Sequence, residues 1–289
     1  MLSAACSTQE VTNSGPDIDT GPEAIDDILE RADVHWIKAK DLPPGEEAER
    51  QKAAAFALYL MAAEAGDAGA QLMTAVFYED GWGIAQDYSQ ALYWWTQAAN
   101  QGIARAQFSI GWLYKEGLGV EKDYERAMNW FLKAAAQHWR EAQFEIGRMY
   151  DYGTGVQVDD RVAVEWYRLA ADQGYHWAHL YLGWHFEMGE GVEKDFDQAI
   201  HWYTQAAELG NTDSPFRLAA IYSGSFAYPR DLVESEKWLY IALHYGDERA
   251  ERISANRRPR PAKVRREAEH RAREWLTEYQ GLEAIEQQP

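Results

Sequence analysis

The sequence holds a single cysteine, Cys6. A lone thiol can form no intramolecular disulfide and no cysteine-based metal centre, so packing rather than cross-linking must hold the fold. Long apolar runs are also missing, and no stretch could span a bilayer as a helix. Basic residues are few, 28 Lys and Arg against 47 Asp and Glu, which leaves a formal charge of −19. Such a surface repels nucleic acid and anionic lipid, which sets both aside as partners of the main body. Catalytic signatures are absent too. There is no Gly-x-Ser-x-Gly, no His-Glu-x-x-His, no kinase set and no Gly-Lys-Ser/Thr phosphate loop. The many carboxylates read as a solvated surface, with no pattern that picks out a glycosidase-like pair.

What is present is aromatic and periodic. The chain carries 13 Trp and 17 Tyr in 289 residues, 46% of them hydrophobic. Trp94, Trp130, Trp166, Trp202 and Trp238 stand 36 residues apart without exception, and so do Asp87, Asp123, Asp159, Asp195 and Asp231. Tyr78, Tyr114, Tyr150, Phe186 and Tyr222 keep the same step, as do Ala98, Ala134, Ala170, Ala206 and Ala242. Four registers sharing one period mark a repeat architecture. The full repeats are 70–105, 106–141, 142–177, 178–213 and 214–249.

Each unit reads as two helices. In the second repeat Phe108, Ile110, Leu113 and Tyr114 give the first helix its buried side. Gly111, Gly147 and Gly183 sit in mid-helix, where glycine costs about 1 kcal/mol against alanine. Close approach of the paired helix is the expected reason. A Gly-x-Gly turn follows, as in Gly153-Thr154-Gly155, except in the fifth repeat, where Ser225-Phe226-Ala227 replaces it. The recurring Asp then fits an N-cap, and Gln90 and Gln198 three residues on fit a capping box. The register Trp is expected in the core between the paired helices, Trp166 in the third repeat. Gly102, Gly174, Gly210 and Gly246 suit left-handed C-caps, with His138 the exception.

The expected architecture is all-α: a right-handed solenoid of five 36-residue helix-turn-helix repeats over 70–249, with helical caps at both ends. Residues 1–22 read as a flexible tether. Residues 23–69 read as a helix plus a half repeat, in which Ala55, Tyr59, Ala62, Ala63 and Gly66 keep the second-helix register. Residues 250–289 read as a basic cap, with a charged helix from Lys263 to Tyr279 after Pro259 and Pro261. Residues 249–273 hold ten Lys or Arg against three acids, a local +7 that leaves −26 elsewhere. That helix is expected to lie against acidic repeats, or else to dock an acidic partner.

The order Ala-Gln-Phe-x-Ile-Gly-x-x-Tyr, Gly-x-Gly-Val, Asp-Tyr-x-x-Ala and Trp-Phe/Tyr-x-x-Ala-Ala resembles the Sel1-like repeat family, over 67–249. The resemblance implies an adaptor, regulator or recognition protein, often of bacterial envelopes, secretion or signalling. It also implies that first helices line the concave side. Members with a disulfide in each repeat are unlike this chain, which lacks those cysteines.

Function should sit where neighbouring repeats differ on one exposed face. A stripe along the first helices varies in this way: Ser109, Trp112, Glu116; Glu145, Arg148, Tyr152; Tyr181, Trp184, Met188; Arg217, Ala220, Gly224. Aromatics and arginine on such a face are typical protein or peptide anchors. Trp112, Glu116, Glu145, Arg148, Tyr152, Tyr181, Trp184 and Met188 are therefore the candidate partner-binding residues, with Arg148 expected between the indoles of Trp112 and Trp184. His176, His179, His185 and His201 crowd the fourth repeat, but no acid completes a zinc spacing. Neither metal nor cofactor is expected. Ser3-Ala4-Ala5-Cys6 resembles the end of a bacterial lipoprotein signal without its apolar core. The corresponding expectation is an envelope protein lipidated at Cys6, from a start upstream of Met1, against a cytoplasmic alternative. The function classes are then a non-enzymatic adaptor, narrowed in one form to an immunity protein that neutralises a secreted toxin, and, behind it, a cell-wall hydrolase.

Overall fold

A computed structural model describes residues 22–226 and 228–280, and Cys6 lies outside them. The described residues form fourteen α-helices and no strand. They fall into two compact units that divide between Ile103 and Ala104. The first holds α1 (Pro22–Asp41), α2 (Glu46–Glu64), α3 (Ala68–Asp80) and α4 (Tyr88–Asn100). The second holds α5 (Ala104–Glu116), α6 (Tyr124–Ala135), α7 (Arg140–Tyr152), α8 (Asp160–Ala171), α9 (His176–Met188), α10 (Phe196–Glu208), α11 (Ser214–Tyr222), α12 (Leu232–His244), α13 (Glu248–Asn256) and α14 (Ala262–Gln280). Consecutive helices pair as hairpins, and within the second unit each hairpin packs on the next through α6–α7, α8–α9 and α10–α11.

The mid-helix glycines have the expected cause, in a specific form. A Cβ on Gly111, Gly147 or Gly183 would fall 2.6, 2.7 or 2.5 Å from the ring of Phe131, Tyr167 or Tyr203, respectively. Each ring belongs to the paired second helix and is fully buried. The register Trp is not that residue, and Trp166 is not the core side chain the spacing suggested. It is half-buried and packs against a cluster formed by Met128 and Phe131 of the preceding repeat and Ile146 and Met149 of its own paired helix. Trp202 likewise bridges a cluster holding Val164 and Tyr167 of the preceding repeat and the core beyond its own hairpin. One residue on, about 100° around the helix, the side chain points into its own hairpin.

The seated rings carry a second rule. Trp95 donates its Nε1–H to Glu79 at 2.7 Å, Tyr167 its hydroxyl to Asp151 at 3.0 Å, and Tyr203 its hydroxyl to Glu187 at 2.6 Å. Phe131 and Leu239 have no donor, and the residues 16 before them are Lys115 and Ser223 rather than acids. A buried carboxylate is tolerated only where a partner satisfies it.

The Asp N-caps form as expected. Asp87, Asp159, Asp195 and Asp231 each accept two backbone N–H groups of their helix, and Asp123 accepts one. A capping box would use the N–H of the cap residue itself. Instead Asp87 and Asp195 donate it to the carbonyls of Tyr78 and Phe186, each at 2.9 Å, and the other three follow suit. The Asp and Tyr registers are thus one device, which closes the turn from both sides. Gln101, Gln137 and Gln173 tie each second helix back to Gln71, Gln107 and Gln143 at 2.9, 2.9 and 2.7 Å.

The caps hold as well. α1 and α2 pair, with Ala55, Tyr59, Ala62 and Ala63 buried. Trp275 of α14 meets Trp238 edge-on at 5.4 Å. The basic segment lies against carboxylates of α12: Arg257 and Arg260 bind the buried Glu236, and Arg271 binds Glu234. α13 was not read from the sequence. It keeps the first-helix register, with Ala250 fully buried where Ala106, Ala142 and Ala178 stand.

Two positions should respond oppositely to glycine chemistry. His138 is the one non-glycine with positive φ among the described residues, at 60°, and it is exposed. Relief of left-handed strain, about 1–2 kcal/mol, exceeds the added freedom of an unfolded glycine, about 0.4–1 kcal/mol. His138→Gly should therefore stabilise by about 0.5–1 kcal/mol. Gly147→Ala should destabilise by about 1–2 kcal/mol, because overpacking against Tyr167 outweighs the propensity gain. Urea unfolding of both reads the signs, and a stabilised Gly147→Ala would refute ring seating.

Candidate functional site

The variable stripe lies in the second unit and divides in two. Its first part is an ion-pair cluster. Lys115 reaches Glu145 at 2.8 Å and Glu116 at 3.4 Å, and its ammonium sits 4.4 Å over the Trp112 ring. Arg148 binds Glu145 at 3.2 Å. Glu145 is therefore a buried counter-ion, with its side chain 7% exposed, and not the free contact the sequence suggested. Arg148 does not lie between two indoles. Glu145, three residues back on the same helix, draws the guanidinium toward itself, 5.7 Å from the Tyr152 ring and 6.0 Å from Phe144.

The second part is an aromatic cleft of about 360 Å³. Tyr152 from α7, Trp177, Leu180, Tyr181 and Trp184 from α9, Arg217 from α11 and Arg249 from α13 line it, with Asp213 at its edge and Tyr203 behind. Tyr152 is 59% exposed, and its hydroxyl lies 3.3 Å from that of Tyr181. Trp177 is 38% exposed. Trp184 is half-buried and also packs on the core beneath. Of the eight candidates, then, Tyr152, Tyr181 and Trp184 share the cleft. Trp112, Glu116, Glu145 and Arg148 lie in or beside the ion-pair cluster, and Met188 is exposed outside both.

Sequence reading missed Trp177, Asp213 and Arg249 as site residues. They stand 36 apart, one helical turn before Tyr181 and Arg217, so extending the stripe by four residues would have found them. The two arginines differ. Arg249 binds Asp213 at 2.6 Å, is held by Asp247, and covers Phe216 at 4.5 Å. Arg217 has no hydrogen bond or ion pair to any described residue.

The sequence of the Sel1 repeat matches at residues 44–67, 68–103, 104–138, 140–175, 178–211 and 215–244. The chain belongs to the Sel1 repeat family. No curated protein matches the sequence. A Sel1 repeat protein from Oxalobacter formigenes has a similar structure: 24% identity, 88% of this chain, 100% of that one, TM-score 0.69. The immunity protein PA5088 from Pseudomonas aeruginosa is similar at 20% identity over 79% and 88% of the two chains, TM-score 0.50. Both likenesses carry the fold. The Sel1 registers build the hairpins, whereas the cleft is made of positions at which these repeats differ from one another.

The histidines of the fourth repeat do not converge, and no group of three or more His, Cys, Asp or Glu fit for a metal occurs among the described residues. His179 binds the Tyr175 carbonyl at 3.0 Å and packs on Trp202, while His201 meets Trp202 edge-on. His185 is fully buried beside Trp184. Its Nδ1 lies 2.9 Å from the Glu190 carbonyl, and its Nε2 lies 3.6 Å from an oxygen of Asp151. Both ring nitrogens face acceptors, an arrangement that suits the imidazolium. Burial pulls the pKa down, but Asp151, the Glu190 carbonyl and Asp160 outweigh it, and the net direction is up.

A raised folded-state pKa stabilises fully below the unfolded value, about 6.5, and is lost as pH rises through the folded value. The wild-type advantage over His185→Gln in urea should therefore shrink as pH rises above about 6.5. The pair difference isolates His185 from His176 and His179, whose pKa values burial lowers. An advantage that stays level from pH 6 to 9 would mean a neutral ring.

Proposed function

We propose that this Sel1 chain is a non-enzymatic adaptor that docks a protein or peptide on the first-helix face of α7, α9, α11 and α13. The observation that carries the reading is the aromatic cleft, where three first helices and α13 expose rings and guanidinium groups side by side. Half-buried Trp, Tyr and Arg in one concavity are the residue types that dominate protein contacts. A central aromatic anchor contributes about 2 kcal/mol or more. Once a partner is captured on the full chain, Trp177→Ala and Trp184→Ala should each weaken it at least ~30-fold. Trp177→Ala should leave the melting temperature nearly unchanged, because that ring is at the surface. Lys133→Ala, on an exposed second-helix position over Trp130, is the control with no effect. Undiminished affinity in both tryptophan variants would move the docking face elsewhere. PA5088 has the immunity role in its own organism, so the fold suits the narrower reading, in which the partner is a secreted toxin.

The proposal also locates the protein in the bacterial envelope, tethered through Cys6. Its support is the small-residue run before that cysteine. Expression from the native locus with labelled palmitate should label the wild type and not Cys6→Ser. Label that persists in the variant, or never appears, removes the anchor.

A further inference from the structure

We propose that the cleft recognises an acidic side chain next to a bulky apolar one, in an extended segment of the partner protein. This rests on the cleft being the docking face and goes on to name what it reads. The decisive feature is Arg217. The chain has 47 acidic residues against 28 basic ones, and each of the other cations named on this face has a carboxylate: Lys115 and Arg148 share Glu145, and Arg249 has Asp213 and Asp247. Among the described residues, Arg217 is the cation lining the aromatic cleft that has no hydrogen bond or ion pair, though its charge acts on the Tyr203 hydroxyl below.

The local sequence keeps it so. Asn211, not Asp213, accepts the backbone N–H groups at the start of α11, from Asp213 at 3.1 Å and Ser214 at 2.9 Å. The Asp213 carboxylate thereby stays available, and Arg249 takes it. Beneath the cleft, the Tyr203 hydroxyl is committed to Glu187, so the floor offers the ring rather than a polar group. The available contacts are therefore apolar walls from Trp177, Leu180 and Trp184 and one free planar cation.

Guanidinium and carboxylate match in two parallel hydrogen bonds, and aromatic walls around them exclude water and strengthen the pair. A cationic segment would gain from the indole faces, but it would meet Arg217 and Arg249 at close range. The volume, about 360 Å³, is at the low end for ligand pockets and suits a side chain or two rather than a folded element.

The test pans phage-displayed random dodecapeptides on the full chain, and on Arg217→Glu and Arg217→Ala checked by circular dichroism for intact helix and melting. The wild type should enrich Asp or Glu within two residues of Phe, Trp or Leu. Arg217→Glu should lose the acidic preference. For the best peptide, synthesised with both ends blocked, Glu→Gln should weaken binding at least tenfold on the wild type and less than twofold on Arg217→Ala, as read by fluorescence anisotropy. Enrichment without acids, an acidic preference that survives Arg217→Glu, or no enrichment at all overturns the inference. The docking face itself is judged separately: if Trp177→Ala still loses a captured partner while peptides show no acidic preference, the face stands and only this reading of its chemistry falls.

Discussion

The seating of a second-helix ring in the notch of a first-helix glycine is the contact on which the hairpins α5–α6, α7–α8 and α9–α10 are built. Without a Cβ at Gly147, the Tyr167 ring reaches the backbone of α7, and helix-to-helix distance, ring burial and polar pairing become one problem. The depth that buries the ring also buries the residue at the end of the same first helix. Asp151 and Glu187 are accordingly carboxylates that a tyrosine hydroxyl satisfies. Desolvation and the neighbouring carboxylate both hold these phenols neutral, with pKa values pushed well above the ordinary range. A neutral donor is what a buried carboxylate requires.

Period and phase were legible at different levels. Spacing alone yields the 36-residue unit, both helices, the Asp caps and the left-handed C-caps, because each depends on local backbone chemistry. The partition of two adjacent aromatics, Trp166 and Tyr167, was not legible. Both are large, both recur as aromatic or apolar, and the more regular of the two looked like the core. Regularity in a solenoid has two sources, however, the inside of a hairpin and the seam between hairpins. Within the second unit, Trp166, Trp202 and Trp238 pack toward the neighbouring hairpin or the closing helix. The inner position can vary among Trp, Phe, Tyr and Leu, provided the residue 16 earlier varies with it.

The candidate face was half legible for a related reason. A stripe of variable positions was found, but its charges were read as free. Whether a surface cation is free depends partly on what the next helix carries, and pairs such as Lys115–Glu145 and Arg249–Asp213, 30 and 36 residues apart, have no local signature. Arg148 is bound to the same Glu145 from three residues away on its own helix, a local pair that the spacing could have shown. Arg249 was counted with the basic cap, yet α13 places it on the first-helix face, as the next member of a register that runs through Arg105, Glu141, Trp177 and Asp213.

The cleft forms where the repeat rules lapse together. In the first three repeats a Gln–Gln bond ties each second helix to its own first helix. In the fourth the pair is His179 and Leu209, and in the fifth Pro215 stands at the Gln position. α11 is four residues shorter than α9, and Asn211 caps it at the register where Trp139 and Tyr175 make no side-chain cap bond. The missing Gln–Gln tie and the different cap change the start of α11, and Asp213 and Arg217 from that turn stand together in the cleft. A repeat protein maintains its fold with the positions that are the same in every unit. The positions where it can afford to differ are those the neighbouring hairpins already hold in place, and α9 and α11 are such a pair, fixed from behind by α10 and α12.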